Sequence, residues 1–73
     1  MATKLEFNGM ACPMPIMKTA MAFKKAASGD VFEIYCDDPG FEPDITAWCN
    51  ETGNPLKGIK KDGRQVIATV TKK

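Results

Sequence analysis

The chain contains three cysteines, Cys12, Cys36 and Cys49, and no histidine. Without histidine there are no Cys–His or Ser–His nucleophile pairs, and the usual zinc ligand sets are excluded. A cysteine nucleophile would have to act without an imidazole base. Cys12 lies in the stretch GMACPMP, residues 9–15, with Pro13 directly after it and Pro15 two positions further on. Cys36 ends a run of apolar and aromatic residues, Val31–Cys36, and Cys49 comes after Trp48. Both of these read as packed thiols, because free cysteine is commonly buried as a small apolar side chain. Cys36, next to Asp37 and Asp38, has the stronger claim of the two to a further role.

Cys12 differs because it stands at the head of a helical pattern. Ile16, Ala20, Phe23 and Ala27 recur at helical spacing, with Met17 and Met21 beside them and Lys18, Lys24 and Lys25 opposite. That pattern predicts an amphipathic helix from Pro13 to Ala27, ended by Ser28-Gly29-Asp30. The first turn of a helix has unpaired N–H groups and a partial positive charge, which stabilise a thiolate and pull a cysteine pKa from about 8.5 toward neutrality. Proline suits such a turn because its missing N–H has no partner there in any case. Proline also disfavours the α conformation in the preceding residue, so Cys12 is expected to be extended and projecting. Lys18, one turn into the helix, is a candidate source of further positive potential.

The remaining elements are predicted from periodicity and turn residues. Residues 3–7 alternate, with Leu5 and Phe7 on one side, as a half-buried strand does, before Asn8-Gly9 breaks the pattern. Val31–Cys36 predicts a second strand with Phe32, Ile34 and Cys36 on one face. Asp37-Asp38-Pro39-Gly40 reads as a loop, and Phe41, Ile45, Trp48, Cys49 and Thr52 mark a second helix starting near Pro43 and capped by Gly53. Leu56–Lys61 and Arg64–Thr71 read as two strands joined by a type I′ turn at Asp62-Gly63. The order βαβαββ, with one apolar stripe on each helix, predicts an α+β fold. It is a two-layer sandwich with both helices on one face of a four-stranded mixed sheet.

Composition limits the function classes. Seventy-three residues suit a single domain, residues 1–73. A net charge of +1 gives no basis for direct nucleic-acid binding. The basic residues Lys57, Lys60, Lys61, Arg64, Lys72 and Lys73 read first as a solvated rim, and otherwise as a docking surface for an acidic partner. No apolar run is long enough to span a bilayer, and the first residues lack the apolar core of a signal peptide. Three cysteines without a close pair give no disulfide framework, so the expected compartment is the reducing cytoplasm.

The methionines at 10, 14, 17 and 21 read as adaptable core or a greasy contact surface. A thioether row for copper(I) is the alternative, and GMACPMP is similar to the G-M-x-C-x-x-C loop of heavy-metal-associated copper chaperones. Pro15 stands where that site needs its second cysteine, and βαβαββ is not the order of that βαββαβ fold. No metal site is expected.

Cys12-Pro13-Met14-Pro15 resembles the C-P-x-P signature of the TusA-like (SirA-like) sulfur-carrier family. Gly9 ahead of the motif, Asp37-Asp38-Pro39-Gly40, Asp44-Ile45, Trp48-Cys49 and the closing hairpin also match its pattern. The resemblance implies that Cys12 carries a sulfane sulfur as a persulfide, with Pro13 and Pro15 presenting it. The donor would be a cysteine desulfurase or a rhodanese-type sulfurtransferase, and the sulfur would pass to an acceptor protein. Such relays serve tRNA thiolation, molybdenum-cofactor synthesis or sulfur oxidation. They use a carrier rather than a turnover enzyme, with no cofactor, and a monomer suits that task. Many members have Arg-Gly-Leu ahead of the motif where this chain has Asn8-Gly9-Met10, and Cys36 and Cys49 are not part of the signature. The alternative is a regulatory binding module that makes no chemical use of Cys12.

Overall fold

The computed structural model describes residues 2–10 and 14–73. Its elements are β1 (Ala2–Glu6), α1 (Met14–Lys24), β2 (Val31–Cys36), α2 (Phe41–Thr52), β3 (Leu56–Asp62) and β4 (Gln65–Thr71). The sheet order is β1-β2-β4-β3. β1 runs parallel to β2, while β4 is antiparallel to both β2 and β3. This is the expected four-stranded mixed sheet with two helices.

Alternation along the strands sorts the residues by face. Phe32, Ile34 and Cys36 of β2 lie opposite Val70, Ala68 and Val66 of β4, and all six are buried. α2 places Phe41, Ile45 and Cys49 in the same core, and α1 contributes Phe23. Phe23 stacks at a tilt on Phe32, with ring centroids 4.4 Å apart, and meets Trp48 edge-on at 5.0 Å. Pairs of this kind contribute about 0.5–1.5 kcal/mol beyond the area they bury, so they fix how α1, α2 and the sheet meet. Elsewhere, Lys4 lies 4.6 Å above the Tyr35 ring. Edge strand β3 exposes Lys57, Lys60 and Lys61, charges that deter pairing with another chain.

β1 covers Ala2–Glu6 rather than residues 3–7, and three further boundaries differ from the sequence reading. α1 covers Met14–Lys24 rather than residues 13–27. The N–H groups of Lys25 and Ala26 bond three residues back, to Ala22 and Phe23, so the last turn tightens. Asp30 Oδ2 then accepts from the Ala27 N–H at 2.9 Å and ends the helix. α2 begins at Phe41, two residues ahead of Pro43, after an N-cap at Gly40. Pro43 still falls in the first turn, where no N–H bond is lost. The hairpin turn is Gly63-Arg64, one residue later than expected, because Asp62 pairs with Gln65. Gly63 has φ +63° and Arg64 is not left-handed, which fits a II′ turn with glycine first rather than I′. Gly53 closes α2 as a left-handed C-cap, its N–H donating to Cys49 O.

Candidate functional site

The loop from β1 toward Cys12 is tied down at four consecutive residues. The Phe7 N–H donates to Tyr35 O at 2.7 Å, carrying the parallel ladder one residue past β1 and burying the ring. Asn8 Nδ2 donates to Gln65 Oε1 at 2.8 Å, reaching the start of β4. The Gly9 N–H donates to Asp37 Oδ1 at 2.9 Å, just beyond β2. The Met10 N–H donates to Phe7 O at 3.2 Å, closing the turn. Gly9 has φ +85°, a conformation that costs other residues about 1–2 kcal/mol, so glycine is required there.

Cys36 lies beneath this loop. It is fully buried, and its Sγ is 4.0 Å from Met10 O, a weak S–H contact. Burial pushes its thiol up, and the nearby Asp38 and Asp37 carboxylates push it further against backbone N–H groups that act the other way. Cys49 is pushed up to about 11 by burial. Both therefore stay protonated at neutral pH, inside the core, as the sequence reading expects. Reactive thiols need the opposite environment, accessible and electropositive.

Beyond the loop, α1 opens two residues after Cys12 in the chain. Pro15 is fully buried, and its carbonyl accepts from Thr19 Oγ1 at 2.7 Å. Proline thus packs against the fold at the start of the helix, where it has no N–H to leave unpaired. Lys18 is exposed on α1. Met14, Met17 and Met21 are 44%, 55% and 61% exposed, so the methionine row is a surface feature and only Met10 packs on the core. Asp37 and Asp38, candidate modulators by sequence, anchor backbone in the structure. Asp37 holds Gly9, and Asp38 Oδ2 accepts from the Gly40 N–H at 3.1 Å ahead of α2. Asp37, Asp38, Gly9, Met10 and Arg64 line a shallow depression of about 260 Å³. Cys12 and Pro13, with Ala11, lie outside the described residues.

Sequence reasoning misses the pins themselves. Asn8–Gln65, Gly9–Asp37 and Met10–Cys36 join residues 57, 28 and 26 positions apart, and no local pattern encodes them. It also misses Arg64 beside the loop, a residue that by sequence belongs to a basic cluster read as a solvated rim or a docking surface. Among the described residues, no three His, Cys, Asp or Glu side chains come together as a metal site would need.

A family model described as Sulfurtransferase TusA matches residues 3–72. The chain belongs to the TusA family. The sulfur carrier protein TusA of Allochromatium vinosum is 33% identical over 60 residues, 82% of this chain and 79% of that protein. A protein of Aquifex aeolicus, named as a candidate sulfur carrier, is 35% identical over 68 residues, 93% of this chain but 34% of its own length. The chain spans about a third of the length of the first curated relatives it matches. The crystal structure of a SirA-like protein from Desulfitobacterium hafniense superposes with a TM-score of 0.81 at 18% identity, covering 97% of this chain and 96% of the other. At that identity the match speaks for the fold, and βαβαββ is the fold expected. Among the described residues, no helix is long and apolar enough to cross a membrane.

Proposed function

We propose that this chain is a sulfur carrier in which Cys12 takes up one sulfane sulfur and hands it on. The observation that carries this reading is Cys12-Pro13-Met14-Pro15, the family's C-P-x-P signature, within a family match over residues 3–72. The Cys12 thiolate attacks the terminal sulfur of a donor persulfide, the donor S–S bond breaks, and the donor cysteine leaves as thiolate. Cys12 then carries S–SH. A nucleophile on the acceptor attacks that outer sulfur, and Cys12 returns as thiolate. Each step moves one sulfur and one electron pair without net oxidation, so no cofactor takes part. No histidine base is needed if the start of the helix keeps the thiol ionised. The high pKa values of Cys36 and Cys49 support one loading position per chain.

The donor is a cysteine desulfurase or a rhodanese-type sulfurtransferase, and the acceptor belongs to tRNA thiolation, molybdenum-cofactor synthesis or sulfur oxidation. Met14, Met17 and Met21, exposed on the helix that begins just after Cys12, give both partners an adaptable apolar surface to meet. A monomer in the cytoplasm suits this exchange. The test is mass spectrometry after incubation with a desulfurase and cysteine, or with polysulfide. Wild type gains one sulfur atom on Cys12, and Cys12→Ser gains none. Equal loading of both proteins refutes the reading and favours a binding module that does not use its cysteine.

A further inference from the structure

A second concave feature lies at the other end of α1 from the sulfur motif, where α1 and α2 both finish. It is a groove of about 350 Å³, with Ala20, Phe23 and Trp48 as its floor and Lys24, Lys72 and Lys73 as its rim. α1 has 11 residues and so spans roughly 16 Å, which separates the groove from the residues around Cys12.

The floor is rigid and unfinished. Trp48 is held edge-on by Phe23, which is itself stacked on Phe32, yet Trp48 stays only partly buried. Fixed, half-covered tryptophans are a common centre of binding energy in protein interfaces. The rim is set in place by backbone bonds. The Lys72 N–H donates to Asp30 O at 2.7 Å, and Lys72 O accepts from the Gly29 N–H at 2.8 Å. Buried Asn54 accepts from the Lys73 N–H through Oδ1 at 2.8 Å, and its Nδ2 donates to Thr52 Oγ1 at 2.9 Å. No Asp or Glu side chain lines the groove, and among the described residues none of the three lysine side chains is ion-paired.

We infer that this groove docks an acidic segment of a partner protein. An aromatic side chain of the segment lies over Trp48 and Phe23, and its flanking carboxylates meet Lys24, Lys72 and Lys73. Charge complementarity selects this occupant, since three unpaired cations ring an aromatic floor. The volume lies near the lower bound of ligand pockets, roughly 300–1,000 Å³, so it takes one large side chain rather than an organic cofactor. A net charge of +1 gives neither a membrane nor a nucleic acid the broad basic surface it would need. The inference does not depend on sulfur chemistry.

Trp48 is the one tryptophan in the chain, so its emission reports on the groove directly. The full chain is titrated with an acetylated Glu-Phe-Glu-Asp amide, with a Lys-Phe-Lys-Lys counterpart, and with vesicles containing anionic lipid. The acidic peptide is expected to shift Trp48 emission saturably and to bind more weakly as salt rises. Lys72→Ala weakens it about two- to fivefold, the range of one exposed ion pair, and Lys24→Glu with Lys72→Glu weakens it at least about tenfold. Circular dichroism establishes that the variants are folded, and persulfide loading of the double variant stays at the wild-type level. The inference fails if the acidic peptide leaves Trp48 unchanged. It also fails if the basic peptide or the vesicles bind as well, or if the folded double variant binds the acidic peptide as wild type does.

Discussion

Asp37→Ala tests how the fold holds the approach to Cys12. The substitution removes the acceptor of the Gly9 N–H, a 2.9 Å bond that ties the loop after β1 to the end of β2. A hydrogen bond to a charged group contributes about 1.5–3 kcal/mol when sheltered from water. This one is exposed, so about 0.5–1 kcal/mol is the appropriate range for its loss. Unfolding entropy near 2.1 cal/mol/K per residue gives a 73-residue domain roughly 150 cal/mol/K, so Tm should fall by about 3–6 °C. The functional loss should exceed the stability loss, because well below Tm the chain stays folded while Gly9 is released. Persulfide uptake by Cys12, tracked by mass spectrometry over time, is therefore expected to slow at a temperature where circular dichroism shows the variant fully folded. Asp37→Asn keeps an acceptor oxygen and should recover most of both effects. If Asp37→Ala melts with wild type and loads sulfur at the wild-type rate, the anchor has no role in presenting Cys12.

Gly9→Ala should cost about 1–2 kcal/mol from its left-handed backbone alone, since a Cβ there meets nothing within 4 Å; a denaturant midpoint lowered with an unchanged slope checks this. Cys49 makes stability depend on alkaline pH. Its folded pKa, raised from 9.0 to about 11, means that its contribution is complete below pH 9 and is lost as pH rises through about 11. Denaturant titrations across that window should show a steeper decline for wild type than for Cys49→Ala, whereas parallel declines would contradict the buried-thiol assignment.

Much of the fold is legible in the sequence because short-range rules govern it. Alternation in 31–36 and 65–71 matches the faces that the sheet buries, and Gly53 caps α2 as its position in the sequence suggests. The hairpin lies one residue from its expected place because Asp62-Gly63 fits a I′ turn locally. The ladder extends to Asp62, and a bulge between Leu56 and Gly58 resets the register of β3. α1 is shorter than its pattern predicts, since its alanines continue the apolar stripe past the point where Asp30 ends the helix. At the candidate site, residue types alone single out Cys12 and its prolines. The anchors around them come from β2 and β4, and only tertiary structure brings those together. The methionine row is visible as spacing, but Pro15, Thr19 and Phe23 decide which side of α1 meets the sheet.

The sheet order also bears on how the protein is made. β4 comes after the other three strands in sequence, yet it lies between β2 and β3, and its first residue, Gln65, holds Asn8. A growing chain that has not yet produced β4 leaves β2 with an open edge and Asn8 without its anchor. Synthesis therefore completes the sheet only once β4 has emerged, and breakdown products cut before residue 65 lose both the inner strand and the acceptor that holds Asn8.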